Sequence, residues 1–405
     1  MTVTEPASVS RFRDFLKIRT ELPNAAYHEC ADFLVNQAKD IGLEYNVVEP
    51  VKGKPVVILR LPGTDSSLKS LMLSCHVDVV PVFEEFWSYP PFSAERVPTE
   101  DGDFKIYARG SQDMKITGSM YLEAIRNIIA SGQKLKRDVY CVFSPDEEIG
   151  GRDGVKAFVE TEEFRKINAG FDLDEGLLGA DDRYTFLYAE RTISQVVFTA
   201  NGNTGHGSQF IEGTAIEKLL PVISTMMELR EKNRLQLMSI ETDQSNLRSG
   251  EVTSINLTAL SGGKLANVVP ATFSVTFDIR VTPNEDLAKF QAFLRNLAES
   301  NGVEMQLVLQ GEGRTITEID RSNKFIDTFY TSLAKRNIDP VPIICPGGTD
   351  ARHVRPKGVP AFGFCPVNNH PILAHVHDEH VFESGYLKGI EIYTDLIADL
   401  ANVDE

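Results

Sequence analysis

The chain has 405 residues, of which 42% are hydrophobic and 24% are charged, the ordinary balance of a globular protein large enough for two domains. A formal net charge of −17 disfavours nucleic acid and anionic membranes as partners, because both would repel an acidic protein. No run of 18 apolar residues occurs, so we expect no membrane span.

The amino terminus and the cysteines are both typical of a protein that stays in the cytoplasm. Residues 1–13 carry Glu5, Arg11 and Arg13 without an apolar segment, which is not the pattern of a signal peptide. The five cysteines are Cys30, Cys75, Cys141, Cys345 and Cys365. Because they are few, odd in number and scattered, they favour reduced thiols over a disulfide framework. The sequence has no Cys-x-x-Cys pair, so a thiolate zinc site is not expected.

Hydrophobic periodicity predicts alternating helices and strands over the first 180 residues. In chain order the predicted elements are helices at 8–19 and 26–41, strands at 55–62 and 70–77, a helix at 114–131, a strand at 138–144, a helix at 152–160 and a strand at 169–174. Turn formers dominate residues 87–110, which are predicted as loop and hairpin. This alternation indicates an α/β fold whose sheet is largely parallel and flanked by helices.

The middle of the chain has a different order of elements. The predicted elements are a strand at 191–202, a helix at 215–233, strands at 252–258 and 273–281, a helix at 285–300 and a strand at 304–310. This β-α-β-β-α-β order is the ferredoxin-like α+β pattern. The α/β pattern then returns with a helix at 323–337, strands at 341–345 and 360–364, and a helix at 381–400. We therefore predict one domain formed by residues 1–188 and 312–405, interrupted by an inserted domain of residues 189–311.

An apolar run at 71–74 leads into His76 and Asp78, at the predicted end of a buried strand. Residues i and i+2 of a strand point to the same face, so these two side chains are expected to emerge together. Open α/β sheets build their sites at this edge. An imidazole beside a carboxylate favours a metal ligand and the group that orients it, although a hydrogen-bonded turn would use the same residues.

Three acidic clusters also stand at the junctions of predicted elements. Asp113 precedes a predicted helix, where an aspartate commonly serves as an N-cap. Glu147 and Glu148 lie in the run SPDEEIGG, directly after an apolar strand, and Asp174 and Glu175 end another. Adjacent carboxylates repel one another unless a cation or solvent neutralises them. Neighbouring side chains point in different directions, so one glutamate can bind metal while the other faces a substrate water.

A histidine-rich run, HVHDEH, begins at His375 and precedes the last predicted helix. Histidine and carboxylate ligands together suit a divalent transition metal, most plausibly zinc. Two histidines with at least three carboxylates exceed the needs of one catalytic zinc. Two ions that share a bridging carboxylate and a water would use them all. A glutamate that is not a ligand would then be the general base.

Eight motifs spread over nearly the whole chain carry a resemblance to a known family. They are CHVDVVPV, YARGSQDMK, PDEEIGG, LDEG, GHGSQF, ANVVPATFSVTFDIRV, GGTDAR and HVHDE. With them the chain resembles the co-catalytic zinc amidohydrolases, the family of the aminoacylases, acetylornithine deacetylase, succinyl-diaminopimelate desuccinylase and carboxypeptidase G. The match is best with the aminoacylase branch.

The resemblance implies two zinc ions per subunit and a ligand set for each. The implied ligands are His76 and Glu175 for one ion, Glu148 and His375 for the other, and Asp113 as the bridge between them. Asp174 remains an alternative to Glu175, because the family uses either acid at this ligand, and His377 is the alternative to His375. Asp78 would orient His76, and Glu147 would be the general base and acid.

The resemblance also implies roles for residues of the inserted domain, which dimerises in this family. His206, in the run GHGS, would reach the partner's active site and stabilise the tetrahedral oxyanion, although a histidine between glycines is also common in exposed loops. The implied substrate-binding residues are Asn267, Arg280, Thr349, Asp350 and Arg352. An arginine suits a free carboxylate because its donors form a planar fork.

The activity implied by the resemblance is hydrolysis of N-acyl-L-amino acids to a carboxylate and a free L-amino acid, with a metal-bound hydroxide as the nucleophile. The expected partners are this small-molecule substrate and a second copy of the chain, with neither nucleic acid nor membrane. A dipeptidase or another amidohydrolase of the family would carry the same catalytic residues. A non-catalytic binding protein on the same fold is the third interpretation, which the intact ligand set and Glu147 disfavour.

Overall fold

The computed structural model describes residues 4–241, 247–311 and 316–404. Within them the chain forms two compact units. The first unit comprises residues 4–188, 317–342 and 349–404, and the second comprises residues 189–241, 247–311, 316 and 343–348. The predicted boundary between residues 311 and 312 touches residues 312–315, which lie outside the described residues. The domain limits drawn from the sequence therefore stay a prediction.

The helices and strands are numbered in chain order. The helices are α1 Ala7–Lys17, α2 Tyr27–Ile41, α3 Lys115–Ser131, α4 Val155–Phe158, α5 Glu162–Ile167, α6 Ala215–Ile240, α7 Leu287–Ser300, α8 Lys324–Ala334, α9 Ala351–Val354 and α10 Glu383–Ala401. The strands are β1 Glu44–Val51, β2 Lys54–Leu61, β3 Ser70–His76, β4 Glu95–Pro98, β5 Phe104–Tyr107, β6 Val139–Ser144, β7 Ala169–Asp174, β8 Thr185–Glu190, β9 Thr192–Asn201, β10 Gly205–His206, β11 Ser254–Gly262, β12 Val268–Val269, β13 Thr272–Val281, β14 Glu304–Gln310, β15 Val341–Cys345, β16 Ala361–Phe364 and β17 His380–Phe382.

The largest sheet has the strand order β1-β2-β6-β3-β7-β16-β8-β15. Its centre is parallel, because β3 pairs in parallel with both β6 and β7, and β7 pairs in parallel with β16. The strands β1, β2 and β8 run antiparallel to their neighbours. A separate three-stranded antiparallel sheet has the order β17-β5-β4.

Strand β3 is buried along its whole length, as its apolar sequence predicts. Leu71, Leu73 and Cys75 belong to one hydrophobic core, whereas Met72 belongs to the core on the opposite face of the sheet. Successive side chains of a strand alternate between faces, so a strand covered on both sides needs apolar residues at every position. The central strands thus hold the residues that follow β3 on a rigid support.

Helix α3 begins two residues after Asp113, a predicted metal ligand. Its predicted span of 114–131 agrees with Lys115–Ser131 to within one residue, and Gly132 ends it in the left-handed conformation, with φ of +74°. A residue with a β-carbon is disfavoured there, which is why glycine at this position is a stop signal.

The second unit contains a four-stranded antiparallel sheet of order β11-β13-β9-β14. With α6 and α7 between its strands, this is the β-α-β-β-α-β order expected from the sequence. Val196 and Phe198 of β9 pack with Leu219 of α6 and Leu294 of α7 in a hydrophobic core of this unit. The predicted fold class, a largely parallel mixed sheet with flanking helices and an α+β insertion, is confirmed.

Several elements differ from the sequence prediction. The helix expected at 152–160 is shortened to α4, and an unpredicted helix, α5, follows it. Thr161 caps α5 by accepting a hydrogen bond from the Phe164 N–H. The strands β1 and β8 and the short elements α9, β10, β12 and β17 were not predicted either. Among the described residues, no helix is both long and apolar enough to cross a membrane.

Candidate active site and metal centre

The candidate site of the first unit lies where the central parallel strands end. His76, the last residue of β3, pairs with Ser144, the last residue of β6, and β7 ends at Asp174. Because parallel strands finish at one edge of a sheet, the acidic residues after β6 and β7 converge on His76.

His76 is almost completely buried, and each of its ring nitrogens has a defined partner. Nδ1 lies 3.1 Å from the backbone oxygen of Asp78. A carbonyl oxygen can only accept, so Nδ1 carries the hydrogen and donates it. Nε2 faces two carboxylates, at 3.1 Å from Asp113 Oδ1 and 3.3 Å from Glu175 Oε2. Nε2 is therefore the nitrogen that would face a metal once its proton is lost.

The carboxylate of Asp78 lies near the His76 ring and also accepts hydrogen bonds from two glutamates. It is completely buried, and its oxygens accept hydrogen bonds from the backbone N–H groups of Glu147 and Glu148, each at 3.1 Å. Its Oδ1 lies 3.6 Å from His76 Nδ1, farther than the carbonyl. The backbone oxygen of Asp78 thus accepts from the His76 ring, and its side chain accepts from the backbones of the two glutamates.

Asp113 lies between two histidines and presents one oxygen to each. Oδ1 is 3.1 Å from His76 Nε2, and Oδ2 is 3.2 Å from His375 Nε2. The same His375 nitrogen lies 3.0 Å from Glu148 Oε2. This is the arrangement of a carboxylate that can bridge two ions, each with one histidine. Asp113 is not a side-chain N-cap of α3, because Met114 precedes that helix and no side-chain cap bond is made.

The members of the two ambiguous pairs, Asp174 or Glu175 and His375 or His377, make different contacts. Glu175 faces His76, whereas Asp174 turns an oxygen to the backbone N–H of Ala351 at 2.7 Å. His375 contacts the carboxylates described above. The ring of His377 instead lies 5.2 Å from the ring of Phe86, centroid to centroid.

Glu147 is buried beside the cluster, and its Oε1 forms an ion pair of 3.0 Å with Arg352 Nη2. One group of nearby metal-binding atoms contains His76, Asp113 and Glu148, and a second contains His76, Glu147 and Glu175. The predicted base therefore lies beside the predicted ligands and is paired with a predicted substrate-binding arginine.

The negative charge concentrated in the cluster, together with burial, shifts the pKa values of its residues. Burial raises the pKa of Glu175 to about 8, and burial with the nearby Glu175 charge raises the pKa of Glu147 well above its usual range. Hydrogen bonds to Asp113 and Glu148 raise the pKa of His375 to about 10. Burial disfavours the charged form of Asp113, but hydrogen bonds from His375 and His76 outweigh it and lower that pKa. Without a metal, protons supply the compensating positive charge.

The donor set fits two divalent cations on these observations. Two imidazoles and three carboxylates converge with nitrogen and oxygen atoms 3.0–3.3 Å apart. Histidine and carboxylate are the ligand types that zinc accepts in catalytic sites. The elevated pKa of the glutamates indicates that cations would stabilise their charged forms.

His206 and Asn267 lie in the second unit, on one two-stranded ribbon. His206 pairs with Val268, and the Gly207 N–H donates to the Asn267 backbone oxygen at 2.8 Å. The His206 side chain is exposed, and its Nδ1 accepts from the Ser208 backbone N–H at 3.3 Å. The same nitrogen lies 2.8 Å from Ser208 Oγ, which can donate to it or accept from it. In the neutral tautomer in which Nδ1 accepts, Nε2 would carry the hydrogen and could donate to an oxyanion.

The remaining predicted substrate-binding residues are also placed by hydrogen bonds. In the second unit Arg280 Nε donates to Asp278 Oδ1 at 2.9 Å on strand β13. In the first unit the carbonyl of buried Thr349 accepts from the Arg352 N–H at 3.2 Å. Asp350 is buried and accepts from Ser144 Oγ at 3.0 Å, so its carboxylate is bound within the protein.

Sequence reasoning assigned no role to Glu379, Arg109 or Gln112, although all three lie in the motifs that carried the resemblance. Glu379 is completely buried, pairs with Arg109 Nη1 at 2.6 Å and accepts from the Gln112 N–H at 2.6 Å. The sequence feature that could have identified these residues was their place in those motifs. The contacts, however, join residues 267–270 positions apart, which no local pattern reveals.

Comparison with known proteins identifies the class of this fold and site. A family model described as Peptidase family M20/M25/M40 matches residues 72–399, and the chain belongs to this family. The chain is 42% identical to aminoacylase-1 of Sus scrofa, over 98% of this chain and 96% of that protein. It is 41% identical to aminoacylase-1 of Homo sapiens, over 98% and 96%. The resemblance stated from the sequence is thereby confirmed.

Solved structures show the same fold at lower identity. An M20 family metallo-carboxypeptidase from Sulfolobus solfataricus matches with a TM-score of 0.75 and 20% identity, covering 98% of this chain and 100% of that one. A dinuclear metal-binding peptidase of the M20 family from Bacillus subtilis matches with a TM-score of 0.66 and 15% identity.

Proposed function

We propose that the chain is a dizinc hydrolase that cleaves the amide bond of N-acyl-L-amino acids, releasing a carboxylate and a free L-amino acid. The observation that carries the proposal is the identity of about 40% to aminoacylase-1 over nearly the full chain. The convergence of histidines and carboxylates at the carboxyl edge of the sheet supports the metal-dependent chemistry.

Five residues would hold the two zinc ions. They are His76 and Glu175 for one ion, Glu148 and His375 for the other, and Asp113 for both. When bound, the ions would polarise the amide carbonyl and lower the pKa of water, so that hydrolysis could proceed near neutral pH. The Asp78 hydrogen bonds to the Glu147 and Glu148 backbones support this assignment, because they hold a ligand and the proposed base in one rigid turn.

Glu147 would take a proton from the attacking water and return it to the amide nitrogen as the bond breaks. Its burial and its raised pKa suit a group that both accepts and donates a proton near neutral pH. Arg352 lies 3.0 Å from Glu147 Oε1, which places one cation beside the base. A substrate carboxylate that reaches Arg352 would therefore put the scissile amide near Glu147.

The proposal includes a homodimer in which the partner subunit's His206 donates a hydrogen bond to the oxyanion. The neutral tautomer of His206 in which Nδ1 accepts from Ser208 supports this role, since Nε2 is then left as the donor. Arg280, Asn267 and Thr349 complete the proposed substrate contacts. A cytoplasmic location is supported by the five cysteines, which are buried and form no disulfide within the described residues.

Release of free amino acid from N-acetyl-L-methionine by the purified protein tests the proposal. The reaction is run on protein as prepared, after chelation and after zinc is restored, with L-methionyl-L-alanine as a parallel substrate. We expect zinc-dependent release of methionine from the acetyl substrate and little cleavage of the dipeptide. Cleavage of the dipeptide alone, or turnover of neither substrate, would contradict the proposed function.

A further inference from the structure

Glu379 occupies a fixed place beside the segment that carries Asp113. Its backbone oxygen accepts from the Ala108 N–H at 3.0 Å, which extends the pairing of β17 with β5. The side chain is completely buried. The ladder of β5 and β17 therefore sets the position of the Glu379 carboxylate within the first unit.

That carboxylate is surrounded by donors from residues 109–113, here called the Asp113 loop. The donors are Arg109 Nη1 at 2.6 Å, the Gln112 N–H at 2.6 Å, the Gly110 N–H at 3.2 Å, the Asp113 N–H at 3.4 Å and Ser111 Oγ at 3.5 Å. Successive backbone N–H groups that converge on one anion form a preorganised cradle. Replacement of the anion would leave buried donors unsatisfied, which is unfavourable for each group.

We propose that Glu379 is a positioning residue that holds the Asp113 loop so that the two Asp113 oxygens face His76 and His375. The inference rests on the proposed metal centre and adds to it a group that touches neither metal nor substrate. The Asp113 side chain projects from the loop that Glu379 fixes, and its oxygens meet the two histidines at 3.1 and 3.2 Å. Without the hydrogen bonds to Glu379, the Asp113 carboxylate could move away from both ions at once.

The side chain of Gln112 extends the same anchor to the segment that carries His375. Its Nε2 donates to the backbone oxygens of Pro371 at 3.0 Å and His380 at 2.8 Å, and its Oε1 accepts from the Leu373 N–H at 2.8 Å. His375 lies between these contacts. The Asp113 loop is therefore tied to the chain on both sides of His375, so a shift of the loop would disturb two ligands together.

The test compares Glu379→Gln with Glu383→Gln. Glu383 is a matched control, because it is buried, lies four residues further along the chain and pairs with Arg96 through two hydrogen bonds of 2.6 and 2.9 Å. Both changes weaken a buried glutamate–arginine pair, but only the first removes an acceptor of the Asp113 loop. Three quantities are measured: amide hydrogen exchange of the metal-free proteins, the zinc Kd by competition with a chromophoric chelator, and kcat and KM for N-acetyl-L-methionine.

For Glu379→Gln we expect the Gln112 amide to exchange about tenfold faster or more, and the zinc Kd to rise about 10–100-fold. We expect kcat to fall by about the same factor while KM changes less than about threefold, because no substrate contact is removed. Glu383→Gln should lose thermal stability without these changes. Exchange and zinc Kd within about twofold of the parent would overturn the proposal and leave Glu379 a purely structural residue.

A second variant covers the case in which Glu379→Gln does not fold. Glu379→Asp keeps the charge and withdraws the carboxylate from the loop by one methylene, and it should show the same rise in zinc Kd and in Gln112 exchange. If the zinc Kd and the Gln112 exchange rate of this variant equal those of the parent protein, the proposal is likewise overturned. Exchange and zinc binding do not depend on turnover, so a protein that fails to cleave N-acyl amino acids would refute the proposed function while Glu379 is still tested.

Discussion

Replacement of Asp78 by asparagine separates the two tasks that the structure gives to this residue. The backbone carbonyl that orients His76 remains, at 3.1 Å from Nδ1. The side chain loses its charge and keeps one acceptor oxygen for the two N–H groups of Glu147 and Glu148. Hydrogen bonds to charged groups contribute roughly 1.5–3 kcal/mol each, and a neutral amide recovers about 1 kcal/mol. We therefore expect the free energy of unfolding of metal-free protein to fall by about 2–5 kcal/mol.

The change of Asp78 to asparagine should weaken the binding of the two zinc ions unequally. The turn that carries Glu148 loosens, while His76 and Glu175 keep their geometry, so the ion of Glu148 and His375 should bind about 10–100-fold more weakly. Urea unfolding, zinc titration and kcat measure these effects. Asp138→Asn is the control, because Asp138 is also buried and accepts from a backbone N–H, that of Gly63 at 2.8 Å. Parent-like zinc affinity for both ions and parent-like kcat in Asp78→Asn would refute the reasoning.

Three further changes test other parts of the account. Glu147→Gln should lower kcat about 10³-fold while metal analysis still finds two ions, and loss of an ion would contradict its role as base. His206→Ala should lower kcat about 10²–10³-fold with the molecular mass in solution unchanged, and an unchanged kcat would refute the oxyanion role. Burial lowers the pKa of His370 to about 4, against about 6.5 in the unfolded chain, so the unfolded state binds the proton more tightly. The stability that neutral His370 provides is present above pH 6.5 and is lost as pH falls towards 4, by roughly 3 kcal/mol. Urea midpoints between pH 7 and 4 should fall less in His370→Gln than in the parent, and equal slopes would contradict this.

The sequence was sufficient for the fold class, because the patterns that define it are local. The apolar run of β3 and the left-handed Gly132 after α3 each depend on neighbouring residues only. The β-α-β-β-α-β order of the second unit follows from periodicity in the same way. Helix α5 was missed, since it is only six residues long and its start depends on one capping threonine, Thr161.

The site could be predicted as a set of residues but not as a set of contacts. Strand alternation placed His76 and Asp78 on one face, yet β3 ends at His76 and Asp78 lies beyond the strand. The Asp78 carboxylate consequently meets the Glu147 and Glu148 backbones, which no spacing rule predicts. The pairing of Glu379 with the Asp113 loop likewise requires β5 and β17 to meet, and these strands are far apart in the sequence.

Anomalous diffraction from zinc-soaked crystals at the zinc absorption edge tests whether the cluster of two histidines and three carboxylates binds two divalent ions. We expect two anomalous peaks about 3.5–4 Å apart, on either side of the Asp113 carboxylate. One peak should contact His76 and Glu175, and the other His375 and Glu148. A single peak, or two peaks that do not share Asp113, would contradict the account.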